Sequence, residues 1–143
     1  MRIGYTCGVF DLFHVGHLNL LENARKKCDY LIVGVCSDEY VRVYKQKEAV
    51  INEKDRTRIL NALKCVDRAE IVSIDETLDK ILAWKRFKFN VLFSGSDWKG
   101  TDRFLETEKS FKDNKIDLEI VFFDYTHGIS TTEIKEQMQD NNN

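Results

Sequence analysis

A chain of 143 residues is long enough for one domain with a real core and too short for two ordinary ones. With 43% hydrophobic and 32% charged residues and a formal charge of -2, it has no general attraction for nucleic acid or an anionic membrane, so a polyanionic partner calls for a local cationic pocket. The N-terminus places a charge and polar residues where a leader would need a continuous apolar run, and no later run approaches ~20 apolar residues, which predicts a cytoplasmic protein without a membrane anchor.

Along the chain, apolar, β-branched or aromatic-rich runs predict strands at 2–7, 30–36, 69–74, 90–94 and 118–123. Between them, helical spacing recurs in Leu20, Leu21, Ala24 and Cys28, then Ile59, Leu60 and Leu63, then Leu78, Ile81 and Leu82, then Phe104, Leu105 and Phe111; a last helix follows the fifth strand. Near-continuous apolar strands alternating with amphipathic helices predict an α/β fold with a parallel sheet covered on both faces. In such sheets ligands gather outside the carboxyl ends of the strands. Cys7, Cys28, Cys36 and Cys65 show neither a C-x-x-C pair nor a regular framework, which predicts free thiols rather than zinc or disulfides. Proline is absent, so turns rest on segments such as Gly95-Ser96-Asp97 and Asp113-Asn114. The polar tail 139–143 is expected to be disordered.

Two of the three histidines, His14 and His17, lie three residues apart where the first strand leads into the first helix. At a helix start, whose N–H groups and dipole favour an anion, cationic or donor imidazoles would stabilise charge on a phosphoryl group in transfer. The same pair is open to two other readings: packed, hydrogen-bonded histidines, or a metal pair, although H-x-x-H lacks the i, i+4 register of H-E-x-x-H and a third ligand. Further on, Ser130 with Glu133 fits a capping box, and Ile129 with Ile134 a hydrophobic staple, which predicts a helix beginning at Ser130 with a start suited to phosphate or simply well capped. As a bare charge pair, Lys45 and Lys47 read as a solvated loop. Trp98, beside Asp97 in a glycine-flanked loop, suits base recognition or ordering of an acceptor pocket.

The string GVFDLFHVGH resembles the G-x-F-D-x-x-H-x-G-H signature of the cytidylyltransferases that act on glycerol phosphate, choline phosphate and ethanolamine phosphate. The resemblance extends over residues 2 to 138 and implies one catalytic domain, 1–138, with a Rossmann-like five-stranded sheet of order 3-2-1-4-5, working as a homodimer. It implies that His14 and His17 contact the CTP phosphates and the transition state, that Gly16 lets the backbone approach the nucleotide, that Val9 and Phe10 line its site, and that Asp11 holds the loop. Thr126, Gly128, Ile129, Ser130, Thr131 and Thr132 match the family's R-T-x-G-I-S-T-[ST], which grips the triphosphate. Tyr125 stands in place of the arginine, with His127, Lys99 and Arg103 as candidate replacements for its charge. Lys45-Gln46-Lys47 resembles the K-Q-K of the glycerol-phosphate enzymes, implying Lys45 on the acceptor phosphate and Lys47 on the CTP phosphates. By position, Lys80 also falls on the acceptor phosphate, and Arg56 supports that side of the site near the dimer contact. Gly95-Ser96-Asp97-Trp98-Lys99-Gly100 resembles G-D-D-W-x-G, which puts Asp97 and Trp98 at the nucleotide, whereas Tyr30 to Glu39 looks more like the choline-phosphate enzymes. The implied reaction is transfer of CMP from CTP, carried with a magnesium ion on its triphosphate, to a small phosphorylated acceptor, glycerol 3-phosphate first. Alternatives are another phosphorylated metabolite feeding a surface polymer or lipid, an ATP-dependent adenylyltransferase of the same fold, and a nucleotide-binding protein without turnover.

Overall fold

The computed structural model describes residues 1–124; the expected last helix and the polar tail lie outside the described residues. Five parallel strands, β1 (Ile3–Gly8), β2 (Tyr30–Cys36), β3 (Arg68–Val72), β4 (Val91–Gly95) and β5 (Glu119–Phe123), form one sheet in the order 3-2-1-4-5. Among the described residues six helices are interleaved: α1 (Val15–Arg25), α2 (Asp38–Lys45), α3 (Glu53–Asn61), α4 (Ile74–Leu78), α5 (Lys80–Phe87) and α6 (Asp102–Asp113). This is a Rossmann-like α/β fold with the strand order that the resemblance implies, and the reversal of strand order between β1 and β4 opens the crevice where ligands bind in such sheets.

The alternation along β2 shows why both faces are covered. Leu31, Val33 and Val35 pack with Leu21 and Ala24 of α1 and Leu60 of α3 on one side, while Ile32 joins Ala83 and Phe87 of α5 and Phe104 and Phe111 of α6 on the other. Two glycines on adjacent strands permit this packing. A side chain at Gly4 would meet the Phe93 ring at 2.5 Å, and one at Gly34 would overlap the hydroxyl of the fully buried Tyr5.

Local capping decides two boundaries differently from apolar character. The third strand stops at Val72, two residues short of the expected 74, because Ser73 caps α4: its hydroxyl accepts from the Glu76 amide and the Glu76 carboxylate accepts from the Ser73 amide, both at 3.1 Å. The helical spacing at Leu78, Ile81 and Leu82 spans two helices rather than one. Asp79 is extended between them, and its carboxylate accepts from the Ile81 amide at 2.9 Å to start α5.

Candidate active site

The loop from β1 into α1 is built around its two histidines. His14 is the N-cap of α1, and its Nδ1 accepts the Gly16 amide at 3.0 Å, while His17 Nδ1 accepts the His14 amide at 3.3 Å. The pair thus forms a capping box in which imidazoles take the parts usually played by a hydroxyl and a carboxylate. Their rings stack with centroids 3.8 Å apart. An Nδ1 that accepts a hydrogen bond carries no proton, so each ring is a neutral imidazole with its proton on Nε2. Of the two states open from the sequence, cation or neutral donor, this geometry selects the donor. Electrostatics agree: burial first, then His14, pull the His17 pKa down to about 4, against the opposing pull of Asp11.

Phe10 and Phe13 hold His17 from two sides, with ring centroids 5.5 and 5.3 Å away. Phe10 does so from a left-handed backbone, φ 55°, and Gly8 makes room, since a Cβ there would approach the Phe10 ring to 2.9 Å. The buried Asp11 carboxylate accepts from the amides of Leu12 at 3.1 Å, Val50 at 2.8 Å and Ile51 at 2.9 Å, which ties the histidine loop to the segment after α2. Arg56, expected among the acceptor-binding residues, stands elsewhere. Its side chain is 0% exposed and donates to the carbonyls of Ile51, Val9 and Cys36, each at 2.8 Å, and to Asp38 at 2.5 Å. A guanidinium committed to four acceptors inside the fold positions the loop ends and contacts no acceptor.

Beside this scaffold, at the carboxyl ends of β1, β2 and β4, lies a cavity of about 140 Å³. Val9, Lys45, Lys80 and Trp98 of the expected site line it, together with Arg103 and the Cys7–Cys36 pair, whose sulfurs are 3.7 Å apart. Lys45 belongs to the last turn of α2, not to a loop, and Gln46 closes that helix in the left-handed region at φ 54°. Lys47 follows on exposed chain. Lys80 opens α5 and donates from Nζ to the Thr77 carbonyl at 2.6 Å. Trp98 ends a single 3-10 turn, Ser96–Trp98, that includes Asp97. The structure therefore brings Val9, Lys45, Lys80 and Trp98 to one cavity, with Phe10 and His14 in the adjoining loop and Gly16 and His17 in the first turn of α1. Thr126, Gly128, Ile129, Ser130, Thr131 and Thr132, with Tyr125 and His127, lie outside the described residues. Arg103 had only its charge to mark it in the sequence; its place in the first turn of α6, directly after the Trp98 loop, is what turns it into the cavity.

Residues 5–137 match the family described as Cytidylyltransferase-like. Over 138 residues the chain is 37% identical to the glycerol-3-phosphate cytidylyltransferase of Bacillus spizizenii, spanning 96% of this chain and 98% of that one. It is 36% identical over 139 residues to the bifunctional protein HldE of a Nitratiruptor species, spanning 96% of this chain and 28% of that protein. Among solved structures, the lipopolysaccharide core biosynthesis protein from Thermoplasma volcanium matches with a TM-score of 0.74 at 27% identity, over 88% of this chain and 97% of that one.

Proposed function

Because the chain belongs to the cytidylyltransferase-like family, we propose that it transfers CMP from CTP to glycerol 3-phosphate, forming a CDP-linked product and pyrophosphate. The observation that carries this reading is the stacked histidine capping box at the start of α1, in which both Nδ1 atoms accept backbone amides, so that each ring keeps its proton on Nε2 as a donor. In this reading an oxygen of the acceptor phosphate attacks the α-phosphorus of CTP in line. A new P–O bond forms as the bond from the α-phosphorus to the bridging oxygen breaks, and that oxygen leaves with pyrophosphate. His14 and His17 donate to the oxygens on which charge accumulates, and they lose no proton in doing so. Lys45 and Lys80 offset the repulsion between acceptor and nucleotide, and Lys47 faces the triphosphate.

A magnesium ion carried on the triphosphate would neutralise part of its charge. Among the described residues no three His, Cys, Asp or Glu side chains gather in a metal cage, so in this reading phosphate oxygens and water supply its coordination. The proposal includes a homodimer working in the cytoplasm; no described helix is long and apolar enough to cross a membrane.

The test is pyrophosphate release with CTP and magnesium across glycerol 3-phosphate, choline phosphate and ethanolamine phosphate, beside ATP in place of CTP and a His14→Ala control. Release with CTP and glycerol 3-phosphate alone, abolished in the control, is the expected result. Release with ATP only, or release unaffected by His14→Ala, would overturn the reading.

A further inference from the structure

Three cations from three different elements surround the cavity: Lys45 from the end of α2, Lys80 from the start of α5 and Arg103 from the first turn of α6. The latter two converge on one atom. Lys80 Nζ donates to the Thr77 carbonyl at 2.6 Å and an Arg103 terminal nitrogen donates to the same oxygen at 3.0 Å. Two positive groups held this close repel each other, and one carbonyl oxygen, a partial charge, offsets that only in part. Among the described side chains neither forms an ion pair with a carboxylate. An anion placed against both would lower the energy of the pair.

The guanidinium is also held in orientation. Its Cζ lies 5.3 Å from the centre of the Trp98 ring, a cation–π contact that restrains the side chain, and a single donated hydrogen bond leaves its other N–H groups uncommitted. A second hollow of about 190 Å³, between the start of α5 and α6, shares Lys80, Arg103 and Thr107 with the cavity, so the cation pair is open from both sides. Cys7 registers the same field: the Cys36 thiol first, then Lys80 and Arg103, hold its thiol below the usual range against the opposing effect of burial.

We propose that Arg103 is an acceptor-selecting residue, whose planar fork grips non-reacting oxygens of the acceptor's phosphate alongside Lys80. This rests on the reading of the chain as a cytidylyltransferase and extends it to a residue outside the signature motifs. A phosphomonoester dianion presents two oxygens at a spacing that the fork matches and an ammonium does not. The position thus discriminates by geometry as well as by charge.

The experiment is steady-state kinetics of wild type, Arg103→Gln and Arg103→Lys with sn-glycerol 3-phosphate varied at saturating CTP and the reverse, with calorimetric titration of each protein by inorganic phosphate and thermal melts. Arg103→Gln should raise the acceptor KM on the order of ten- to a hundred-fold, the loss of a charge-assisted pair of hydrogen bonds. The KM for CTP should stay within about two-fold, because the loss concerns acceptor binding alone. Arg103→Lys should fall between the two, and phosphate binding should weaken in the same order. An unchanged acceptor KM in a folded Arg103→Gln protein would overturn the proposal. So would a parallel rise in both KM values, or a melting temperature that falls while Arg103→Lys rescues nothing, the mark of a purely structural tie to Thr77. If wild type transfers no CMP, the parent reading fails, and the phosphate titration decides alone: binding lost in Arg103→Gln upholds the cation pair as an anion site, and equal or absent binding in wild type refutes it.

Discussion

His17 is worth more as a neutral ring than as a charged one, and the fold enforces that state. Its pKa of about 4 lies below the ordinary 6.5, so between those values the unfolded chain binds a proton that the folded chain refuses. The associated stability is therefore complete above 6.5 and is lost as pH falls toward 4. Urea unfolding of wild type should lose stability from about pH 7 to about pH 5 more steeply than His17→Gln, and equal slopes would refute the assignment. At this scale the sequence was informative in one direction only. The spacing of His14 and His17 gave their shared location, but the choice between cation and neutral donor depends on which backbone amides reach Nδ1. Arg56 shows the converse case: nothing in its polar stretch, Asn52-Glu53-Lys54-Asp55-Arg56, marks the arginine as buried, and only the carbonyls that surround it do so. Arg103 escaped the motifs because its partner, the Thr77 carbonyl, is a backbone atom that no side-chain pattern marks.

At the level of elements, α1 joins two functions in one residue, since His14 is both the cap of the helix and a donor to phosphate in the proposed reaction. The two separate by substitution. An asparagine keeps a side-chain acceptor for the Gly16 amide, so His14→Asn should stay within about 0.5 kcal/mol of wild type, whereas His14→Ala should lose about 1 kcal/mol. Both should lose turnover on the order of a hundred-fold or more, because neither presents Nε2–H. Chemical denaturation beside single-turnover assays checks this, and a His14→Asn protein as active as wild type would remove the imidazole from the chemistry. The strands were readable because a parallel sheet demands apolar runs on both faces; β2 was placed at its true ends, Tyr30–Cys36. The ends of β3 and the break at Asp79 were not, because a serine and an aspartate capping short helices outweigh the apolar residues next to them.

For the whole molecule, the two packed faces meet through the glycines of the central strands. Gly34→Ala should cost about 1–3 kcal/mol by driving a methyl into the Tyr5 hydroxyl, and Tyr5→Phe in the same chain should recover part of that loss. A full additive loss in the double variant, measured by urea unfolding, would show that the strain lies elsewhere. The strand order 3-2-1-4-5 came from family resemblance; periodicity alone gives five strands and their helices without saying which are neighbours, since that choice rests on contacts far apart in the chain. The clamp that Asp11 places on Val50 has a further consequence for the lysines. Between the last residue of α2 and that anchored amide run only residues 46–49, a leash that spans about 14 Å at full stretch. Lys47 is tethered at both ends, which in the proposed reaction keeps it near the triphosphate. Each catalytic cycle can then begin without first recapturing a wandering cation, and the entropy of ordering that charge is spent once, when the protein folds.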